Sequence, residues 1–262
     1  MRGRLEHDTP TARNTQVWRD GDFTAEYAIR TLRAVEVVLL LRYGGHLSGR
    51  TLEIGCGAGR LTGYLIELSD HVEGIDISAA MVDYCRRAFP SGHFRQGDLR
   101  DLSGFPDGAN NAIIAPFNVL DILDDRERRD VLGHLQRMLA PGGLLIMSGH
   151  NRAHIPRLRP PTHVRTSDPL RLAVDLLRLP RRYRNSRRLR ADQRTEPGYA
   201  IVNDDAHDFM LLHYYVTRDA QEAQLAAHGF SLVQCLDLDG ATVAPGEAAA
   251  GSSELHYVAR VE

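Results

Sequence analysis

The chain has 262 residues, 43% hydrophobic and 25% charged, which is typical of one large globular domain or one domain with a lid. Its longest apolar runs, such as residues 37–41, are far shorter than the about 20 residues of a transmembrane helix. No apolar segment follows the first arginines, and the three cysteines have no framework spacing. We therefore expect a cytoplasmic protein without signal peptide or disulfides.

Charge is distributed unevenly along the chain, although the net value is only −2. All 32 basic residues are arginines, and residues 151–194 hold 13 of them against three acidic residues. The rest of the chain carries 19 arginines and 31 acidic residues. An arginine-rich segment within an acidic chain needs an explanation of its own.

The first part of the chain contains one predicted helix. Residues 1–20 are polar and have no pattern, so they are expected to form a mobile or loosely docked arm. Residues 24–42 are predicted to be helical, because Thr24 can cap the start and Gly44-Gly45 can end the helix. We assign residues 1–47 to this arm and cap helix.

Strands and helices alternate from residue 50 onward. Such alternation is typical of a parallel sheet with helices on both faces. The predicted strands are 51–54, 71–76, 93–96, 111–117 and 144–148, and the predicted helices are 60–69, 79–88 and 124–139.

The alternation stops at residue 150 and resumes near residue 209. There we predict a strand at 209–216, a helix at 218–228 and a long hairpin of strands 230–238 and 254–261. The segments 48–150 and 209–262 are thus two parts of one domain, and 151–208 is an insertion after strand five, too long for a plain connection.

The insertion contains one predicted helix. Ser167 or Asp168, followed by Pro169, begins it, and Pro180 ends it. Its apolar stripe consists of Leu170, Ala173, Val174 and Leu177, widened by Leu172, Leu176 and Leu179.

A glycine-rich loop, Gly55-Cys56-Gly57-Ala58-Gly59, follows the first strand. Glycines let a backbone turn tightly and approach a ligand, but this spacing alone is a weak signal. Residues at the ends of the next two strands strengthen this signal. Asp76 ends the second strand about 20 residues on, where an acid meets ribose hydroxyls, and Gly97-Asp98 follows the third. Together they suit a nucleoside bound across the carboxyl edge of the sheet.

In these motifs the sequence resembles the class I S-adenosylmethionine-dependent methyltransferases. The resemblance covers about residues 48–150 and resumes near residue 225. It implies a Rossmann-like seven-stranded sheet whose last strand is antiparallel, with S-adenosylmethionine as cofactor and S-adenosylhomocysteine as product. The segments that carry it are Leu52 to Arg60, Gly74 to Met81, Gly97-Asp98, Leu135 to Leu144 and Leu225 to Phe230.

The resemblance also implies a role for each matching position. Glu53 and the loop Gly55, Cys56, Gly57 and Gly59 would hold the methionine part of the cofactor, and Asp76 would bind the ribose hydroxyls. Ile77 and Met81 would sandwich the adenine, and Asp98 and Leu99 would bind its edge. Phe117, at the end of strand four, would approach the sulfonium methyl group. The Asn/Asp-Pro-Pro-Tyr/Phe tetrad of enzymes that methylate nucleic-acid amino groups is missing there.

Candidates for the acceptor side lie around the insertion. Methylation of a hydroxyl requires removal of a proton, and histidine is the usual base near neutral pH. His150, His213 and Tyr215 are the catalytic candidates, since Phe209, Leu211, His213 and Tyr215 would share one face of a strand. Tyr27, Asn118 and His154 are candidates for acceptor binding. The alternative is that these side chains only pack and hydrogen-bond. Asp121, Asp124 and Asp125 are interpreted as a helix start, so no metal is expected.

Three explanations remain open for the arginine-rich insertion. It is a solvated lid neutralised by the acidic body or an oligomer partner, a pocket for an acidic acceptor, or a contact with nucleic acid or an anionic membrane. Nucleic acid is disfavoured, because the chain is slightly acidic and aromatic residues are not interleaved in the run.

The sequence therefore predicts a methyltransferase that acts on an oxygen or nitrogen atom of a small molecule. The alternatives are an RNA-modifying enzyme and a protein that binds the cofactor without turnover. Weak peripheral membrane contact and a homo-oligomer are compatible with either.

Overall fold

The structure is a computed structural model that describes residues 10–20, 23–28, 31–164, 166 and 168–262. Residues 1–9 of the predicted arm, and Ser167 at the predicted start of the insertion helix, lie outside these ranges. The helices are α1 (Pro10–Asp20), α2 (Thr24–Tyr27), α3 (Ala34–Leu47), α4 (Thr62–Leu68), α5 (Ala79–Ala88), α6 (Asp125–Met138), α7 (Pro169–Leu189) and α8 (Arg218–Ala226). The strands are β1 (Arg50–Ile54), β2 (His71–Asp76), β3 (His93–Gln96), β4 (Asn110–Ala115), β5 (Leu139–Asn151), β6 (Arg194–Thr195), β7 (Tyr199–Val202), β8 (His213–Val216), β9 (Phe230–Leu236) and β10 (Glu254–Val261).

Seven strands form the central sheet in the order β3-β2-β1-β4-β5-β10-β9. The first five are parallel, and β10 is antiparallel to both β5 and β9. The predicted α/β sheet with an antiparallel last strand is thus confirmed. The chain adds a feature that was not predicted: β8 pairs with the end of β5, and β7 and β6 extend the sheet from there.

Helices cover both faces of the sheet, as the alternation predicts. Ile113 of β4 packs into a core with α6 and α8, whereas the next residue, Ile114, packs into a second core with α3 and α4. Successive side chains of a strand point to opposite faces, so a strand with both faces covered must be apolar throughout. This arrangement places the carboxyl ends of β1, β2 and β4 along one edge.

The prediction of one helix over residues 24–42 is wrong. The chain forms the short α2 and then α3, and Gly44-Gly45 lies inside α3 instead of ending it. Glycine in a helix interior costs only about 1 kcal/mol relative to alanine. Leu47, beyond the glycines, is completely buried, so packing of the last turn outweighs that cost.

The prediction of a loosely docked arm is wrong for residues 10–20. They form α1, and Asn14 in its middle is buried. The Asn14 amide donates to the carbonyl oxygens of Leu212 (2.6 Å) and Ile122 (2.9 Å), and accepts from the backbone N–H of Leu212 (3.1 Å). A buried asparagine of this kind fixes a helix without an apolar stripe, which explains why hydrophobic periodicity missed it.

The predicted strand at 209–216 is also shorter than expected, since β8 begins at His213. Before it, His207, Asp208 and Phe209 have positive φ angles of 46°, 56° and 62°. The Asn203 amide holds this loop by donating to the carbonyl oxygens of Phe209 (3.0 Å) and Leu211 (2.6 Å). Phe209 and Leu211 therefore do not continue the face of β8.

Helix α7 passes through Pro180 and does not end there. A proline removes one helical hydrogen bond, but contacts of the following turn compensate, since Arg182 is buried and bonds with Asp208 and with the carbonyl oxygen of His163. Of the predicted apolar stripe, the side chain of Leu170 lies outside the described residues. Ala173, Val174 and Leu177 are exposed, contrary to the usual burial of such a stripe. No helix in the described ranges is long and apolar enough to cross a bilayer.

Candidate active site

One cavity of about 330 Å³ lies at the carboxyl ends of β1, β2 and β4. It extends from the glycine loop to the residues beside the insertion, so the predicted cofactor side and acceptor side form one continuous space. Predicted residues in its wall are Glu53, Gly55, Cys56, Gly57, Asp76, Ile77, Met81, Asp98, Leu99 and Phe117 on the cofactor side, and Tyr27, Asn118, His150 and His213 on the acceptor side.

The glycine loop requires glycine for two reasons. Gly55, Gly57 and Gly59 have φ angles of 67°, 53° and 78°, which other residues rarely adopt. A Cβ atom at Gly55 would also overlap Val119, and one at Gly59 would overlap the ring of Phe89. Gly59 lies behind the cavity wall, so its contribution is to pack the loop and not to contact a ligand.

Glu53 is a carboxyl group buried at the end of β1, where it lines the cavity. Thr62 Oγ1 donates a hydrogen bond to Glu53 Oε2 over 2.5 Å. Burial raises the pKa of Glu53 to about 8, against the lowering effect of Thr62. A cationic group beside this carboxyl would favour its ionised form.

Asp76 and Asp98 have different surroundings. Asp76 accepts from the backbone N–H groups of Gly57 and Ser78, both at 2.8 Å, and its pKa is raised by burial despite these bonds. Asp98 holds Arg100 with both oxygens, at 2.9 and 2.6 Å. Burial opposes ionisation of Asp98, but Arg100 outweighs it and lowers the pKa. Both oxygens of Asp76 and Oδ2 of Asp98 keep further acceptor capacity, whereas Asp98 Oδ1 already accepts from the backbone N–H and from Nε of Arg100.

Phe117 and Asn118 form a strained turn after β4, with φ angles of 54° and 56°. Such conformations in non-glycine residues are a mark of functional sites. The guanidinium groups of Arg33 and Arg60 lie 4.3 and 3.9 Å from the centre of the Phe117 ring. The Asn118 amide nitrogen donates to Glu254 Oε2 at 3.0 Å and lies 3.3 Å from His150 Nε2.

His150 is one half of an Asp–His pair. Asp121 Oδ2 lies 2.8 Å from His150 Nδ1, and Asp121 Oδ1 accepts from the fully buried Arg128 at 2.5 Å. The carboxylate thereby favours the proton on Nδ1 and leaves the lone pair on Nε2. Burial lowers the pKa of His150, but the hydrogen bond and charge of Asp121, with two further carboxylates, raise it overall.

A second Asp–His pair stacks on the first. The His213 and His150 rings are 4.9 Å apart, and His213 Nδ1 lies 2.8 Å from Asp204 Oδ2. Burial would raise the pKa of Asp204, but the charge and hydrogen bond of His213 hold it well below its usual range. Tyr215 donates to the same oxygen at 2.7 Å.

His150, Asp204 and His213 have ligand atoms within 4.8 Å of one another, as in a transition-metal site. However, Asp204 Oδ2 already accepts from His213 and Tyr215, and Oδ1 accepts from the backbone N–H of Ala206 at 3.0 Å. A metal would have to displace these bonds. The hydrogen-bonded network accounts for all three side chains, and the expectation of a metal-free site stays a prediction.

Besides Gly59, two predicted residues have other positions or roles. His154 is not in the cavity wall, because its Nδ1 pairs with the carbonyl oxygen of Ala250 at 3.2 Å. Tyr215 is not in the wall either, and burial together with the Asp204 charge raises its pKa far above the ordinary value. It therefore stays protonated and positions Asp204 instead of acting as a base.

The structure adds residues that sequence reasoning missed. Asp121, interpreted as part of a helix start, is the buried partner of His150. Glu254 binds Arg33 and lies 3.1 Å from His256 Nε2. His207 lines the cavity beside Tyr27 and Trp18, with ring centres 6.3 and 4.9 Å away. Apart from Glu254 with His256, these contacts join residues far apart in the sequence, so no local spacing indicates them.

Comparisons with known proteins agree with this geometry. Residues 51–143 match a family described as "Methyltransferase domain". A malonyl-[acyl-carrier protein] O-methyltransferase of Salmonella typhimurium is 29% identical over 121 residues, 46% of this chain and 47% of that protein. The chain spans about half the length of the curated relatives it matches.

Solved structures extend the likeness to the whole fold. A S-adenosylmethionine-dependent methyltransferase from Clostridium acetobutylicum superposes with a TM-score of 0.59 at 13% identity, covering 92% of this chain and 93% of that one. S-adenosylmethionine-bound CalS10, an amino pentose methyltransferase from Micromonospora echinaspora, gives 0.53 at 19% identity and 92% coverage of both chains. Residues 51–143 thus match a methyltransferase domain, and the chain shares the fold of these S-adenosylmethionine-dependent methyltransferases.

S-adenosylmethionine fits the residues present. Glu53 is a buried carboxyl group, and Thr62 is its one hydrogen-bond partner among the described residues. Gly57, in the loop that follows, has space where a side chain would begin, since only the Met81 sulfur lies within 4 Å of that position. A cationic ligand would relieve the buried carboxyl, and the loop leaves room for close approach.

Proposed function

We propose that the protein transfers a methyl group from S-adenosylmethionine to a hydroxyl oxygen of a small molecule. The observation that carries this proposal is the Asp121–His150 pair at the acceptor end of the cavity. A hydroxyl must lose a proton as it is methylated, whereas an unprotonated amine only needs to be aligned. A histidine oriented by a buried carboxylate is suited to accept that proton.

On the cofactor side, the residue roles follow the family resemblance. S-adenosylmethionine supplies an electrophilic methyl group on a positively charged sulfur. Glu53 and the glycine loop bind its methionine part, and Asp76 accepts from the ribose hydroxyls. Ile77 and Met81 enclose the adenine, whose edge Asp98 and Leu99 bind.

On the acceptor side, the hydroxyl takes the place of the Asn118 amide nitrogen, 3.3 Å away, at His150 Nε2, and this atom accepts its proton. Asp121 fixes the tautomer and stabilises the resulting imidazolium, and Arg128 holds the other oxygen of Asp121 in place. Asn118 Oδ1 is buried and has no hydrogen-bond partner within the described ranges, so it is available to orient the acceptor. His213 places a second imidazole beside that of His150, where it can hydrogen-bond another polar group of the acceptor.

The size of the cavity favours a small acceptor. The volume of about 330 Å³ is at the lower end of small-molecule sites, and the cofactor and the acceptor would share it, so little room is left for a large acceptor. Trp18 and Tyr27 line the cavity from the N-terminal helices. One relative is named for a carrier-protein-bound malonyl group and one solved structure for an amino pentose, and of the two only the amino pentose is a free small molecule. An RNA-modifying role lacks such support, and the continuation of the cavity past Phe117 to Asn118, His150 and His213 disfavours binding without turnover. A cytoplasmic location and independence from metal belong to this proposal.

The test is a calorimetric titration with S-adenosylhomocysteine, followed by an acceptor screen with methyl-labelled cofactor. We expect micromolar binding and label transfer to a hydroxyl compound. His150→Gln should keep cofactor affinity and lose about 100-fold or more of the rate. His154→Gln, outside the cavity, is the matched control and should retain it. Equal rates for the two variants would refute His150 as the base, and transfer to RNA would refute the acceptor class.

A further inference from the structure

Helix α7 packs on the protein with its polar side. Asp175 and Arg182, seven residues apart, are buried, and Arg182 Nε donates to Asp208 Oδ1 at 3.2 Å. The Asn185 amide donates to the carbonyl oxygen of Asp208 at 2.9 Å. Seven residues are about two helical turns, so these side chains share one face. The opposite face, with Val174 and Leu177 of the apolar stripe, was predicted to be buried but faces away from the protein.

The outward side of α7 exposes large apolar residues. Leu177 is 81% exposed, and Val174, Leu176 and Tyr183 are each about half exposed. Most large hydrophobic side chains of a globular protein are covered, so several exposed ones on one helix indicate a surface that contacts something.

Arginines continue the same surface toward the end of the helix. Arg184, Arg187 and Arg188 are exposed, and no ion pair involves them within the part of the chain that the structure describes. Arg184 and Arg188 are 7 and 11 residues after Leu177, and these helical spacings place the two arginines on the same face as Leu177. We call this surface, formed by Val174, Leu176, Leu177, Tyr183, Arg184, Arg187 and Arg188, the outer face of α7.

We propose that the outer face of α7 docks on an anionic lipid bilayer. Leu176 and Leu177 enter the boundary between headgroups and acyl chains, and the arginines bind lipid phosphates while their aliphatic stems stay at the interface. A second copy that docked through the same face would bring arginines against arginines. Nucleic acid would match the charge but not the leucines. A bilayer with acidic lipids matches both parts of the surface.

Docking would act close to the cavity. Arg182 and Asn185 hold Asp208, and the neighbouring His207 and Ala206 line the cavity wall. A bilayer under α7 is therefore one helix thickness from the loop at the acceptor end. The proposal concerns binding alone and does not rest on the proposed methyl transfer.

The test is co-sedimentation of the full chain with vesicles of phosphatidylcholine, with and without an equal part of phosphatidylglycerol. We expect binding only to the anionic vesicles, and a loss that rises with salt. Leu177→Ser, and separately the triple change of Arg184, Arg187 and Arg188 to Gln, should each lower the partition coefficient by about tenfold or more.

The chain offers matched controls. Leu41 on α3 is also 81% exposed, so Leu41→Ser makes the same change elsewhere. Gln at Arg42, Arg87 and Arg126, all exposed, matches the triple charge change. Controls that keep vesicle binding support the proposal, provided that circular dichroism shows every variant folded.

Three results would overturn the proposal. The folded wild-type chain could ignore anionic vesicles, or the controls could lose as much binding as the α7 variants. The third is a dimer in light scattering that Leu177→Ser dissociates, without vesicle binding, because a second copy would then cover the face. S-adenosylhomocysteine affinity, measured on the same samples, separates this outcome from a failure of the proposed function.

Discussion

Arg128→Met should be one of the most destabilising single changes in this fold. Arg128 is completely buried, and its guanidinium donates to Asp121 Oδ1 at 2.5 Å and to Gln221 Oε1 at 2.6 Å. Methionine fills similar space but leaves the Asp121 carboxylate buried without its guanidinium. Breaking a buried pair from one side typically costs about 3–5 kcal/mol of unfolding free energy.

Two companion variants show whether burial is the cause. Arg129→Met, at the next residue, breaks a partly exposed helix pair with Asp125 and should cost at most about 1 kcal/mol. The double variant Asp121→Asn with Arg128→Met removes both charges and should recover much of the loss of the single change. Guanidinium denaturation followed by circular dichroism gives the three differences.

The pair also sets a pH dependence through His150. Burial lowers the pKa of His150, but Asp121 outweighs it, so the folded pKa lies above the unfolded value of 6.5. Protonated His150 therefore contributes stability that is complete below pH 6.5 and is lost as the pH rises through the folded pKa. The double variant should show a weaker loss over this window. An Arg128→Met cost no larger than that of Arg129→Met, or a double variant no more stable than the single one, would refute the reasoning.

Three further predictions concern the cofactor side of the cavity. Asp76→Ala removes hydrogen bonds worth roughly 1.5–3 kcal/mol each, so calorimetry should show S-adenosylhomocysteine affinity reduced at least tenfold in a folded protein; unchanged affinity would contradict the ribose assignment. Gly59→Ala should lower the unfolding free energy by more than Gly108→Ala, because both glycines have positive φ angles but only Gly59 faces Phe89. Equal losses would mean that backbone strain alone destabilises both variants, without a contribution from the Phe89 contact. The pKa of Glu53 is raised from 4.5 to about 8, so the folded state holds a proton that the unfolded state has lost, and stability falls as the pH rises between these values. Glu53→Gln should flatten this pH dependence of the unfolding free energy, measured by denaturation across that range. An unchanged slope would refute the burial argument.

The cofactor half of the site was predictable because its determinants are local. Gly55, Gly57 and Gly59 directly follow the first strand, and glycine adopts the positive φ angles of this loop without the strain that other residues would have. Asp76 follows at the end of the adjacent parallel strand, so sequence order alone places the two side by side. Strand type and order follow from the same alternation.

The acceptor half was only partly predictable because its determinants are remote in sequence. His150 and His213 were identified as candidates, but their partners Asp121 and Asp204 come from separate loops. For helix α7, the periodic pattern gave a wrong prediction for a different reason. The pattern located its apolar stripe correctly but not its orientation, which polar contacts such as Arg182 with Asp208 decide.

Charge links the two halves of the cavity. Among the described residues of its wall are four carboxyl groups, those of Glu53, Asp76, Asp98 and Glu254, against the guanidinium groups of Arg33 and Arg60. Burial keeps Glu53 largely protonated at neutral pH until a cation approaches, and the raised pKa of His150 adds positive charge to the wall, so the two signs nearly balance. A wall of balanced charge does not by itself select an anionic ligand. The arginine-rich insertion adds its exposed charges outside this wall, which is why they point to a separate, anionic partner and not to the acceptor.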